Sequence, residues 1–141
     1  MTRAAVQTFW DETTGSWQYV VHDPETRKGV VIDPVLDFDQ QSGSVMTQNA
    51  ERILDHVERE GLDILRILDT HPHADHFSAA CWLAERLGAR RGIGEKVTGV
   101  QELWRDFYHT PDFPCDGRQW DDLWADGDTF EVGELEGRVM F

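Results

Sequence analysis

Residues 62–68, Leu-Asp-Ile-Leu-Arg-Ile-Leu, form a short and nearly continuous apolar run, and no other stretch limits the fold as much. A run of this kind is the signature of a strand covered on both faces. Just before it, residues 48–60 carry a helical pattern with Ala50, Ile53, Leu54 and Val57 on one stripe. Thr47 stands as the expected cap and Gly61 as the expected terminator. Asp55 and Arg59 lie four apart on the outer side, and His56 is expected to face outward with them. Further upstream, residues 6–10, 17–21 and 30–32 read as three strands of an antiparallel meander, separated by polar turns. The third ends at Asp33-Pro34, where proline stops the ladder. Strand, helix and strand then make a crossover unit, so strands 30–32 and 62–68 are expected to be parallel. Residues 35–46 read as a polar loop.

The buried strand runs into Thr70-His71-Pro72-His73-Ala74-Asp75-His76. The chain has six histidines and three of them fall here, which scattered usage does not explain. Neutral imidazoles and a carboxylate are the donors that zinc or ferrous iron takes. In an extended His-x-His segment both rings point to the same side, because side chains repeat every second residue. Asp75 and His76 are then expected to point elsewhere, towards a second metal or a supporting role. A capping role for Asp75 would leave the histidines unexplained. The candidate metal ligands are His71, His73, Asp75 and His76, and the carboxylate among them, Asp75, is the candidate catalytic residue. Parallel pairing brings Asp33 and His71 to the carboxyl ends of neighbouring strands, where open α/β sheets bind ligands. Asp33 is thus a candidate support behind the metal ligands, and equally an Asp-Pro turn with no further role.

Residues 77–87 read as the next helix, with Phe77, Ala80, Cys81, Ala84 and Leu87 inward and Gly88 at its end. A short strand follows at 89–93. Next comes a helix over 97–108 with Val97, Val100, Leu103, Trp104 and Phe107 inward. Residues 111–128 are loop-rich. Residues 129–132 and 138–141 are expected to pair as a hairpin around residues 133–137.

With 27 acidic against 13 basic residues the formal net charge is −14. Such a surface repels phosphate backbones and anionic lipids, which argues against nucleic-acid and membrane partners. The first residues lack the apolar run of a signal peptide, so a cytoplasmic location is expected. Cys81 and Cys115 are too few for a disulfide framework, and neither has an evident basic neighbourhood in the sequence.

The motif, its place after a buried strand and the order of elements resemble the metallo-β-lactamase superfamily. That resemblance implies an α/β fold, an αββα sandwich of two similar halves with metals at one edge of the sheets. This chain would form the N-terminal half. A closer likeness is to the persulfide dioxygenases, the branch that includes the β-lactamase-hydrolase-like proteins. Residues 32–37, 70–76, 83–89 and 126–130 carry it. Thiolester hydrolases of the glyoxalase II type usually follow the motif with Gly-Gly, and here Phe77-Ser78-Ala79-Ala80 stands instead.

In that branch the resemblance implies one ferrous iron, held by the first motif histidine together with a later histidine and a later aspartate. His71 would be the iron ligand, supported by His73, Asp75 and His76. In the zinc branch His71 and His73 would hold one metal, Asp75 and His76 another. No histidine follows His109, so residues 1–141 are expected to be a single truncated domain, weakly stable and prone to associate. It would be completed by a missing C-terminal half or a homo-oligomer. The leading expectation is oxidation of glutathione persulfide to sulfite. The alternatives are a zinc-dependent thioester hydrolase, and an inactive fragment or metal-binding module.

Overall fold

The computed structural model describes residues 3–141. The chain runs through β1 (Ala5–Asp11), β2 (Ser16–His22), β3 (Lys28–Ile32), β4 (Val35–Asp39), β5 (Ser44–Met46), α1 (Gln48–Glu60) and β6 (Asp63–Leu68). It continues with β7 (Phe77–Ser78), α2 (Ala80–Leu87), β8 (Arg90–Gly94), α3 (Val97–Phe107), β9 (Asp122–Trp124), β10 (Thr129–Val132) and β11 (Leu135–Arg138).

The first three strands pair antiparallel, as their alternation and turns require. α1 ends at Gly61 in the left-handed conformation, φ 62°, and the Gly61 and Leu62 amides return to the carbonyls of Glu58 and Val57. The chain then re-enters the sheet as β6, parallel to β3. β8 and β9 extend it, giving a six-stranded sheet in the order β1-β2-β3-β6-β8-β9.

One sheet face carries the core. Phe9, Val20, Val31, Ile64 and Ile67 pack with Ala50, Ile53 and Val57 of α1 and Leu83 of α2. Each large side chain buried there contributes about 1.5–3 kcal/mol. The opposite face is open along β1 and β2, where Val6, Trp10 and Trp17 are 57%, 43% and 50% exposed. The β10–β11 hairpin is tied to the β2–β3 turn. Asp23, fully buried, accepts from the Glu134 amide and the Thr26 hydroxyl, both at 2.8 Å.

Several expectations are corrected. Residues 35–46 are a β-hairpin, β4 with β5, and β4 pairs on its other side with β7. β4 alternates acidic and apolar residues beyond Val35 and β5 is wholly exposed, so the stretch lacks the signal of a core strand. Phe77 therefore lies in a strand and is 54% exposed, and α2 starts at Ala80. Cys81 faces solvent, with the Arg91 guanidinium donating to its sulfur at 3.6 Å, so it does have a basic neighbour. Thr47 does not cap α1 through its side chain; its hydroxyl donates to Glu51 at 2.7 Å.

His56 is buried, edge-on to Phe9 at 5.6 Å between ring centroids. α3 buries Val97 and Gln101, while Leu103, Trp104 and Phe107 are 62%, 46% and 65% exposed. The last hairpin turns tightly at Gly133 and pairs Val132 with Leu135, a shorter loop than the spacing suggested. No helix among the described residues is long and apolar enough to cross a membrane.

Candidate metal centre

The motif leaves β6 at its carboxyl end, beside the end of β3. Asp33, which follows β3, has φ 51° and donates its amide to the Leu68 carbonyl at 2.9 Å. Aspartate is one of the few residues that tolerate this region. The turned backbone aims the carboxylate across the strand ends into the motif. There Oδ1 accepts the Thr70 amide at 2.7 Å and Oδ2 accepts the Thr70 hydroxyl at 2.7 Å. Oδ1 also meets His73 Nε2 at 3.0 Å. Asp33 therefore does more than turn the chain.

The histidine rings are each held through one nitrogen. Thr70 has a single hydroxyl proton, and the Asp33 carboxylate can only accept, so that proton goes to Asp33. The Thr70 oxygen then accepts from His71 Nδ1 at 2.8 Å, leaving His71 Nε2 as a lone pair. His73 donates from Nε2 to Asp33, leaving Nδ1 in its neutral form. His76 donates from Nδ1 to the Phe77 carbonyl at 2.9 Å, leaving Nε2. Three imidazoles thus keep three free nitrogen donors, the tautomers a divalent metal needs.

His71 and His73 lie 4.4 Å apart between centroids, as His-x-His spacing leads one to expect. The expectation for the other two is corrected: His76 does not point away but stacks on His73 at 4.2 Å and 26°. The reason is that residues 71–76 bend out of extended geometry before β7. Donor atoms of Asp33, His71 and His73 lie within 4.8 Å of one another, and so do those of His73, Asp75 and His76. The two groups meet at His73, and either could hold a divalent cation, the first only if Asp33 gives up its bond from His73 Nε2.

Electrostatics favours one. Burial opposes charge on the His73 ring, but the Asp33 hydrogen bond and the carboxylates of Asp33, Asp69 and Asp75 outweigh it and hold its pKa above the usual value. Burial likewise raises Asp33, yet its bonds to His73 and Thr70 hold it below the ordinary carboxylate range. Asp75 is also lowered, first by a hydrogen bond from Ser16. The cluster opens on a cleft of about 870 Å³ lined by Asp11, Asp37, Asp39, Phe38 and Phe77 among others, with no Lys or Arg on its wall.

Two supports escaped the sequence reading. Asp69, 6% exposed, accepts from the Ser78 hydroxyl at 2.7 Å and the Trp120 indole at 3.0 Å, and stands 3.8 Å from His73. A carboxylate closing a buried strand was the available signal. Ser16 left none, because its contact with Asp75 spans 59 positions.

Residues 12–138 match the family described as the metallo-beta-lactamase superfamily. The chain belongs to that superfamily. As a member it is 56% identical to the beta-lactamase hydrolase-like protein of Xylella fastidiosa strain Temecula1 over all of this chain, which spans 34% of that relative's length. It is 33% identical to glyoxylase B2 of Dictyostelium discoideum, over 98% of this chain and 48% of the relative. With the mitochondrial persulfide dioxygenase ETHE1 of Bos taurus it shares 30% identity, over 63% of this chain and 31% of that protein. The crystal structure of ETHE1 from Myxococcus xanthus superposes with a TM-score of 0.67 at 24% identity, over 94% of this chain and 45% of that one. This member of the metallo-β-lactamase superfamily thus carries part of the family's mixed α/β fold, and metal binding is expected of it.

Proposed function

We propose that this chain is the motif-bearing half of an iron-dependent persulfide dioxygenase that converts glutathione persulfide, dioxygen and water to glutathione and sulfite. The observation that carries the metal is the triple pinning of His71, His73 and His76, each with one nitrogen left free. The likeness to a persulfide dioxygenase supports the reaction, as does Phe77-Ser78-Ala79-Ala80 in place of a glycine pair. His71 is the proposed iron ligand of this half, with His73, Asp75 and His76 around it and Asp33 behind. The iron would bring dioxygen and the persulfide sulfur together. The chain's own part is to hold the imidazoles in the right tautomer, to surround the cation with carboxylates, and to offer Phe38 and Phe77 as an apolar wall beside it. The remaining ligands come from a C-terminal half or a partner copy, and the site of action is the cytoplasm.

A specific observation supports a second reading, a zinc-dependent thioester hydrolase. The donors form two adjacent three-residue groups around His73, which suits two metals and a bridging hydroxide. The similarity to a glyoxylase points the same way. In this reading Asp75 holds the second metal and is the candidate catalytic carboxylate.

Metal analysis of chelator-free protein separates the two. Stoichiometric iron lost in His71→Ala, with oxygen-dependent sulfite from the full-length enzyme, is the expected result. Stoichiometric zinc with oxygen-independent thioester cleavage would transfer the assignment to the hydrolase. Absence of any metal would leave a non-catalytic module.

A further inference from the structure

Ser16 Oγ stands 2.8 Å from Asp75 Oδ2, at the end of the β1–β2 hairpin. Ser16 is 9% exposed, so water competes little for its hydroxyl. Thr14 Oγ1 lies 2.6 Å from Asp11 Oδ2 and 2.9 Å from Ser16 Oγ. Each hydroxyl has one proton and each carboxylate only accepts, so Thr14 donates to Asp11 and Ser16 donates to Asp75.

The donor is held rigidly. Ser16 pairs with Asp11 at the last position of the β1–β2 register. The Gly15 amide returns to the Asp11 carbonyl and the Thr14 amide to the Asp11 carboxylate, both at 3.0 Å. Asp11 Oδ1 in turn accepts from Asn49 of α1 at 3.1 Å, and Asn49 Oδ1 accepts from buried Gln18 at 3.1 Å. Asp75 has no such frame: it is exposed, in a bend outside any helix or strand.

We infer that Ser16 is a positioning residue for the candidate metal centre, its hydroxyl fixing one oxygen of Asp75 so that the other is free to meet a divalent cation beside His73 and His76. The role of the cation rests on the metal-centre reading above; the fixing of Asp75 does not.

The test compares this chain with Ser16→Ala and Ser16→Thr by two readouts, thermal unfolding serving as the control for folding. Hydrogen–deuterium exchange of residues 70–78 in metal-free protein reports the loop. Zinc affinity by chelator competition reports the site. Ser16→Ala is expected to speed exchange in that segment alone and to weaken zinc binding about 10–100-fold, the usual cost of losing a supporting hydrogen bond. Ser16→Thr, which keeps the hydroxyl, is expected to restore both. In an Asp75→Ala background Ser16→Ala is expected to change loop exchange no further, and an added effect there would overturn the inference. So would unchanged exchange and affinity in Ser16→Ala, or failure of threonine to rescue. If Ser16→Ala does not fold, Ser16→Cys keeps the size and weakens the donor. Wild-type protein that binds no zinc, with a loop that still loosens in Ser16→Ala, would remove the metal reading while the anchoring of Asp75 stands.

Discussion

Asp33 concentrates several jobs in one side chain. Its φ of 51° turns the carboxylate towards the motif, and its two oxygens take three donors from Thr70 and His73. Alanine would leave those donors without an acceptor, and a buried donor left unpaired costs about 1–3 kcal/mol. Thr70 is exposed and can turn to water, so His73 sets the cost. Asp33→Ala is expected to lose roughly 2 kcal/mol in urea unfolding, and Asp33→Asn, which tolerates positive φ and keeps one acceptor oxygen, about half of that. Equal loss in the two would show that charge, not geometry, is what the site needs. Asp-Pro marked the turn in the sequence, but not the left-handed backbone that aims the side chain, because proline at the next position suggests an extended residue.

At the scale of the element, α1 shows what periodicity reads well and where it fails. Its bounds and its Ala50, Ile53 and Val57 stripe follow from spacing. His56 does not, since the strand that covers it, with Phe9, comes from far upstream. Its Nδ1 accepts from Arg59 at 3.2 Å, while Nε2 is buried with no hydrogen-bond partner among the described residues. Burial pushes the His56 pKa below 6.5; Glu60 pulls it back upward, and Arg59 and His22 push it further down. The unfolded chain therefore takes up this proton first on acidification. Its contribution to stability is whole above pH 6.5 and is lost as pH falls from there through the lower folded pKa. His56→Leu is expected to match wild type or exceed it at pH 7.5, and to lose less stability than wild type on moving to about pH 5.5. Urea midpoints at the two values decide it. An equal loss in both proteins would mean that His56 is not the acid-sensitive group.

For the whole molecule two forces oppose each other. The net charge of −14 drives copies apart, while Val6, Trp10 and Trp17 leave an apolar strip on the open sheet face beside the edge strand β1. The screening length falls to about 3 Å at 1 M salt, so the repulsion is removable and the apolar contact is not. Sedimentation velocity is expected to show a smaller, more monomeric species at low salt and growing association at high salt. Trp10→Ser with Trp17→Ser should suppress that growth. A salt-independent monomer would show that the strip does not drive association. The chain spans 34% of the length of its Xylella relative and 48% of its Dictyostelium relative.

By itself the sequence determined the meander, the crossover onto β6, the helices and the location of the histidine cluster. Each of these rests on local periodicity, turn residues and the handedness of short connections. Only the tertiary structure decided that residues 35–46 form a hairpin forming one wall of the cleft, and that α3 leaves its aromatic residues exposed. It also decided that His76 stacks on His73 and that Asp33, Asp69 and Ser16 stand around the motif. Those outcomes depend on partners up to 59 positions away. A polar side chain reveals which distant group it will meet only once the sheet has closed around it.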